Sequence, residues 1–329
     1  MHNHIAAPEV VAFLEREGRH FDTEIFERDG RRFFRIGRSA LRPLDDRISR
    51  AAARLPEMDA AGIDVQAVSC IPFLMYPEVA PDLAREIARI GNAALAGIAR
   101  AHPSRFAPLA SVPLQAPDAA AQELERAVGL GLRGAQIPPR IGSEWLDAPR
   151  FTPFFAAAEA LGCVLCIHPF DADPQAPYDR YGLGNLVGNL YDTGLAASLL
   201  LYGGVLERFP GLRIVLYHGG GALPCLLGRL DQGHTLLPAC RAALPRSPSS
   251  YAGAFHFDTI TFDAALLRHL VARFGPERVV LGSDFPLPMG PRDPAAEVRA
   301  LDLGERAERA ILGETAERLL GGARAEGAS

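Results

Sequence analysis

Five side chains in this 329-residue sequence have the types and positions needed to work on a metal ion: His2, His4, His168, His218 and Asp284. His2 and His4 flank one asparagine, and residues i and i+2 of a strand share a face, so both imidazoles can address one ion. His168 ends the apolar run Val-Leu-Cys-Ile-His, His218 ends Arg-Ile-Val-Leu-Tyr-His, and Asp284 ends Val-Val-Leu-Gly-Ser-Asp. Neutral imidazoles with one carboxylate suit a single zinc ion, with manganese or iron(II) as alternatives, and leave a position for water. Such an ion draws the pKa of its water towards about 7 and makes a nucleophile or base available at neutral pH. A lone histidine at a strand end is more often a packing residue, and His-x-His near an N-terminus says little by itself. Five such residues on four runs are poorly explained by packing.

The elements that must carry these residues follow from hydrophobic pattern. Short β-branched runs occur at 64–73, 106–114, 132–137, 164–170, 213–219, 255–260 and 278–286, with amphipathic stretches at 117–129, 152–161, 191–209 and 263–274 between them. Near-continuous apolar strands alternating with helices indicate a parallel sheet covered on its outer side. With His2-Asn-His4 ending one more strand, the pattern is an α/β chain closed as a (β/α)8 barrel, read as one domain over 1–329. In such a barrel every strand opens on the same mouth, so residues remote in sequence converge there. Residues 18–46 are polar and arginine-rich around an Asp29-Gly30 turn signal, and are expected to form a small inserted flap after the first strand. Only Met1 precedes His2, so either the first strand is abbreviated or the natural start lies upstream, the second being the expectation. The Ala/Arg/Gly-rich tail after Gly321 is expected to fray.

Composition excludes several functions. A net charge of −5 gives no electrostatic footprint for nucleic acid or an anionic membrane. No apolar run approaches the ~20 residues of a membrane span, and the start lacks the basic and apolar regions of a secretory signal. Five cysteines, among them a Cys163-x-x-Cys166 inside an apolar run, read as buried thiols in a reducing, cytoplasmic setting. All 34 basic residues are arginine, which removes Schiff-base, phosphate-loop and metal-bridging carbamylated lysine chemistry.

In combination these motifs make the sequence similar to the amidohydrolase-related (amidohydrolase 2) family, and within it to its decarboxylases, through nearly the whole chain. His2-Asn-His4 resembles the family's first motif, without the usual preceding aspartate, and residues 57–69 resemble its second strand and approach. His168-Pro-Phe-Asp171 resembles its His-Pro-Trp-Asp, His218-Gly-Gly-Gly221 its His-Gly-Gly-Gly, and Leu281-Gly-Ser-Asp-Phe-Pro286 its Leu-Gly-Ser-Asp-Tyr-Pro. The resemblance implies that His2, His4, His168 and Asp284 hold one zinc. It implies that His218 stands unligated beside the metal water as general base, the alternatives being a fifth ligand or a structural histidine. It also implies that Arg35 reaches over the mouth from the flap, and that Arg229 enters a neighbouring subunit's site, which makes the working form a homodimer. A planar guanidinium suits both roles, because it pairs bidentately with a carboxylate. Against these stand a solvated hairpin for Arg35 and pairing of Arg229 with Asp231 or Glu207.

Phe170 and Phe285 replace the family's aromatic residues beside the metal ligands, and 171–189 lacks its tryptophan, so the substrate should differ. Asp258 and Thr259, ending the seventh strand, are candidates to support the metal-binding imidazoles. His234 and His256 are expected to have no catalytic role, and Trp145 is either a lid at the mouth or packing. Two functional readings stand: non-oxidative decarboxylation of a small unsaturated or aromatic acid, and hydrolysis of a lactone, amide or C–C bond by the same site. A metal-bearing scaffold without catalysis leaves His218 without a purpose.

Overall fold

The computed structural model describes residues 1–37, 41–170, 178 and 180–321. Asp171, residues 172–177 and 179 of the segment behind it, and the tail beyond Gly321 lie outside the described residues. The strands are β1 (Asn3–Ile5), β2 (Thr23–Arg28), β3 (Arg31–Ile36), β4 (Arg42–Pro43), β5 (Val68–Cys70), β6 (Gly134–Ile137), β7 (Arg140–Ile141), β8 (Glu144–Trp145), β9 (Val164–Ile167), β10 (Arg213–Leu216), β11 (Phe255–Asp258) and β12 (Val279–Val280).

Parallel pairing runs round a ring. β1 lies beside β5 with His4 opposite Ser69. Residues 106–110 bridge β5 to β6 through Gln66–Phe106 and Ala110–Ala135. β6, β9, β10, β11 and β12 then pair in that order. The ring closes where residue 285 returns to Asn3: the His4 N–H donates to the Phe285 carbonyl at 2.8 Å, and the Asp284 N–H to the His2 carbonyl at 2.8 Å. Eight parallel segments thus form a closed barrel. The third is less regular than its apolar pattern suggests, because Pro108 and Pro113 remove ladder donors.

Side-chain parity sorts the wall into inside and outside. Val164 and Cys166 face the same interior cluster as Ala67, Leu109, Val215, Tyr217 and Val280, while Leu165 and Ile167 face the outer helices. Further towards the mouth the wall becomes polar: Ser69 and His168 lie two residues beyond Ala67 and Cys166, Asp284 four beyond Val280, and Asp258 ends β11. The apolar layer closes the bottom, and the polar layer forms the mouth. Cys163 and Cys166 are buried, unpaired thiols, so the Cys-x-x-Cys is part of the wall.

Helices expected at 117–129 and 152–161 occur as Pro117–Gly129 and Thr152–Leu161. That expected at 263–274 is Ala264–Phe274, with Asp263 accepting from the Ala265 and Leu266 N–H groups at its start. The stretch 191–209 breaks in two, Asn189–Tyr202 and Val205–Arg208, at Gly203-Gly204, where Gly204 adopts φ 68°. The flap is the antiparallel sheet β2-β3-β4. Asp29 and Gly30 both take positive φ, as a two-residue type I′ hairpin requires. The strands begin only at Thr23, because Gly18–Phe21 is a 3-10 turn continuing the helix Pro8–Glu17. Phe34 is buried against Phe73, and the Thr23 hydroxyl meets the Tyr76 hydroxyl at 2.8 Å, so the flap is fastened to the segment leaving β5.

One contact in the wall is intolerant of any side chain. A Cβ on Gly134 would lie 1.9 Å from the Val164 carbonyl oxygen, inside the β6–β9 pairing. Gly134→Ala is therefore expected to lower stability by about 3 kcal/mol or more, read as the urea midpoint of the purified protein. A loss below about 1 kcal/mol would contradict the tight wall.

Candidate metal centre

His2, His4, His168 and Asp284 are buried at the mouth end of the ring. Their ligand atoms lie within 4.8 Å of one another. The rings of His2, His4 and His168 are mutually equidistant, each pair of centroids 4.9 Å apart and nearly perpendicular. This is the arrangement of three imidazoles sharing a centre.

The outward nitrogen of each ring has a partner. His2 Nδ1 lies 2.6 Å from Asp258 Oδ2, His4 Nδ1 3.3 Å from Ser69 Oγ, and His168 Nδ1 close to the Pro169 carbonyl. Asp258 and the carbonyl can only accept, and the Ser69 hydroxyl proton is engaged with Gln136 Oε1 at 2.6 Å. Each Nδ1 is thus the N–H donor, which leaves a lone pair on each Nε2. Those three Nε2 atoms, and Asp284 Oδ1, are buried with no hydrogen-bond partner. Buried polar atoms are seldom left unsatisfied, because desolvation without a partner costs about 1–3 kcal/mol each. Three imidazole lone pairs and one carboxylate oxygen aimed at each other fit a divalent cation of the zinc or manganese type.

Electrostatics supports the same fit. Burial pushes Asp284 upwards, but His2 and His4 outweigh it and hold the carboxyl well below its ordinary range. Asp284 Oδ1 stands 3.3 Å from His2 Nε2 and 3.1 Å from His4 Nε2. Burial pulls His4 down to about 4 and His168 well below the usual imidazole value, so both are neutral donors. Burial also opposes charge on His2, but Asp284 and Asp258 overcome it and raise its pKa. The two aspartates thus favour the charged form of His2, in competition with an ion at its Nε2.

His218 completes the mouth. Its ring lies 5.0 Å from that of His2 and 5.1 Å from that of His168. Its Nδ1 is buried and unpartnered, and burial followed by the charge of His2 lowers its pKa, leaving a neutral imidazole. The backbone that presents it is left-handed at His218 (φ 56°) and through the next three glycines. Side chains there are barred: a Cβ on Gly221 would meet the Leu190 carbonyl at 2.2 Å. Asp258 Oδ1 accepts from the Gly219 N–H at 2.7 Å while Oδ2 holds His2, so one carboxylate orients both the His2 ring and the His218 turn.

Other residues singled out in the sequence are placed differently. Thr259 supports no imidazole; adjacent strand residues point to opposite faces, and its hydroxyl accepts from the Gly282 N–H at 3.1 Å. Arg35 lies on the exposed side of the hairpin, paired with Glu24, whereas Arg42 on β4 stacks over Phe73, just past the end of β5, at 4.1 Å. Arg229 is exposed on the helix Leu223–Leu236 and makes no ion pair among the described residues. Asp231 instead accepts from the Ser249 N–H, and Glu207 from the Tyr251 hydroxyl. Phe170 lies 5.0 Å from the Arg140 guanidinium, and the Phe285 ring packs against Arg54 at 5.3 Å. Trp145 belongs to the small hairpin β7–β8, opposite Arg140. His234 bonds the Leu244 carbonyl, and His256 lies near the start of β11 beside Arg278, both away from the mouth.

Sequence reasoning missed Ser69 and Arg140. Ser69 was legible only through its register opposite His4. Arg140 begins β7, just past the end of β6, and among the described residues its carboxylate neighbours are distant, Glu78 at 3.8 Å and Asp192 at 4.0 Å.

The amidohydrolase family profile matches residues 1–322, and the chain belongs to that family. It is 32% identical over 283 residues to the 2-amino-3-carboxymuconate-6-semialdehyde decarboxylase of Dictyostelium discoideum, covering 85% of this chain and 79% of that one. The crystal structure of 5-carboxyvanillate decarboxylase from Sphingomonas paucimobilis superposes with a TM-score of 0.77 at 32% identity, covering 84% of each chain. That of a dihydroxybenzoic acid decarboxylase from a Polaromonas species, with bound manganese and the inhibitor 2-nitroresorcinol, superposes with a TM-score of 0.79 at 25% identity over 99% of both chains.

Asp258→Ala frees the His2 ring and is expected to weaken divalent-ion binding by about 10- to 100-fold, measured by competition with a chromogenic chelator. Because His2, whose pKa the two aspartates raise, must bind an ion as the neutral imidazole, binding should release protons and weaken as pH falls. Calorimetry in buffers of different ionisation enthalpy checks this; binding independent of both buffer and pH would contradict it.

Proposed function

We propose that this chain is a metal-dependent, non-oxidative decarboxylase of small aromatic or unsaturated carboxylic acids. The observation that carries the reading is a neutral, unpartnered imidazole, His218, beside four buried donor atoms that lack partners. The decarboxylase names of its relatives weigh the reaction towards release of CO₂. When bound, the ion supplies a Lewis acid that polarises substrate oxygen and acidifies water.

His2, His4, His168 and Asp284 would hold that ion, with zinc the first expectation and manganese or iron(II) open. His218, neutral at rest, would first take up a proton from solvent and then deliver it to the carbon that carries the carboxylate. The C–C bond then breaks, CO₂ departs, and the bonding pair restores the unsaturated system, so the net change replaces a carboxylate by hydrogen. Arginines steer the substrate carboxylate: Arg229 from a neighbouring subunit, and from the same chain Arg42 or Arg140, whose placement near the mouth suits the role better than that of Arg35. Phe170, beside Arg140, would line the substrate ring, and Phe285 the seam next to Asp284.

We further infer a homodimer. Tyr181, Leu186, Val187, Leu190 and Tyr191 are exposed together on one stretch of chain, whose helix packs against the one bearing Arg229, which has no ion pair among the described residues. Such an apolar cluster marks an interaction surface. No described helix is long and apolar enough to cross a membrane, and the five unpaired thiols fit a reducing compartment such as the cytoplasm.

Incubation of metal-loaded protein with aromatic and unsaturated acids should release CO₂, whereas lactones, amides and esters should be left intact; hydrolysis without CO₂ would establish the competing hydrolase. Chelation followed by readdition of zinc, manganese or iron(II) identifies the ion. His218→Gln should lower kcat by about 10²- to 10⁴-fold while metal content stays at wild-type level. Arg229→Ala and His218→Ala proteins, each inactive alone, should regain activity when mixed, since the hybrid dimer holds one complete site. Failure of the mixture to recover activity would remove Arg229 from the neighbour's site.

A further inference from the structure

Among the described residues Arg54 is the one arginine without exposed surface. It forms no ion pair there: Asp45 and Glu57 act on its charge only from a distance, and its direct partners are uncharged acceptors. Its Nε donates to the Arg47 carbonyl at 2.8 Å, its Nη1 to Gln66 Oε1 at 3.4 Å, and its Nη2 to the carbonyl of His4. Its guanidinium lies 5.3 Å from the ring of Phe285, the residue that follows Asp284.

The position of the third bond explains the burial. His4 sits on the seam where the first and last barrel strands meet, and its N–H is taken by the Phe285 carbonyl. Continued parallel pairing would bring the N–H of residue 287 to the His4 carbonyl. That donor is diverted: the Leu287 N–H bonds the Asp284 carbonyl at 2.8 Å. The ladder therefore ends one bond short, on the carbonyl of a candidate metal ligand. A buried carbonyl left so would be destabilising, and Arg54 supplies the missing donor.

We propose that Arg54 is a positioning residue for the metal centre, replacing the absent rung of the seam and holding the His4 imidazole and the Asp284 turn in register. The proposal rests on the metal reading above. Its fork touches three separate segments: the His4 backbone, Gln66 leading into the strand whose Ser69 faces His4 Nδ1, and the Arg47 backbone, whose neighbour Ile48 accepts from the Ala6 N–H at 2.9 Å. A lysine keeps the charge but cannot bridge these acceptors, because its ammonium lacks the planar fork.

The test compares Arg54→Met, Arg54→Lys and, as a control for general destabilisation, Met58→Ala, a buried core position on the next helix. Each variant is titrated with zinc and with manganese against a chelator, and its metal-free melting temperature is recorded. Arg54→Met should raise the metal dissociation constant by about 10- to 100-fold, with Arg54→Lys between it and wild type. Met58→Ala should lower the melting temperature and leave the constant within about twofold. If Arg54→Met does not fold, Arg54→Lys decides. Arginine variants that hold metal within about twofold of wild type overturn the positioning role while leaving the metal reading intact. A wild-type chain that binds neither ion overturns the metal reading itself.

Discussion

Everything at the mouth depends on the closing of the ring between the two ends of the chain. Two backbone hydrogen bonds, His4 N–H to Phe285 and Asp284 N–H to His2, set strands from opposite ends of the sequence side by side. Three of the four candidate donors sit on this seam. Their spacing is thus set by strand pairing, with its fixed separation of about 4.8 Å, rather than by flexible loops. The same closure joins the first and last strands of the barrel wall, so the barrel and the site share one seam.

The donors are held in an electrostatically unfavourable state that an ion relieves. Three imidazoles and a carboxylate are buried with their inward atoms unpaired, while their outward atoms are committed to Asp258, Ser69 and the Pro169 carbonyl. The outward bonds select the tautomer and the ring angle. The aspartates favour charge on His2 while burial opposes it, and a divalent cation would satisfy all four inward atoms at once. Such a site is pre-organised: little rearrangement is needed when an ion arrives, and protons leave in exchange.

Around this centre the barrel separates duties by layer. The apolar inward layer of Val164, Cys166, Val215 and Val280 blocks the bottom, so substrate can approach only through the mouth. There the flap is fastened to the segment leaving β5, and Arg140 stands beside Phe170, two residues past His168. The barrel wall is rigid and the rim is built from connections, which is how one scaffold keeps its metal chemistry while its substrate changes.

The sequence could be read this far because metal chemistry is written in residue identity and parity. Histidine or aspartate ending an apolar run, at i and i+2 or at the mouth end of a parallel strand, points inward whatever the loops do; His2, His4, His168, His218 and Asp284 were legible for that reason, as were Asp258 and the hairpin at Asp29-Gly30. Residues that act through direction were not. Arg35 and Arg42 lie on adjacent flap strands, and only the pairing of Phe34 with Arg42 shows which one reaches Phe73. Thr259 follows Asp258 by one residue and therefore faces the other way. Arg54 is one arginine among 34, and nothing in its neighbours in sequence announces that it is buried beneath the seam. Composition and periodicity determined the barrel and the five candidate residues at its strand ends, because both depend on local pattern, while the division of those five into ligands and an unligated histidine came from the family resemblance. The partners of each arginine were decided only by tertiary structure, because long side chains find their acceptors across elements whose register no local pattern records.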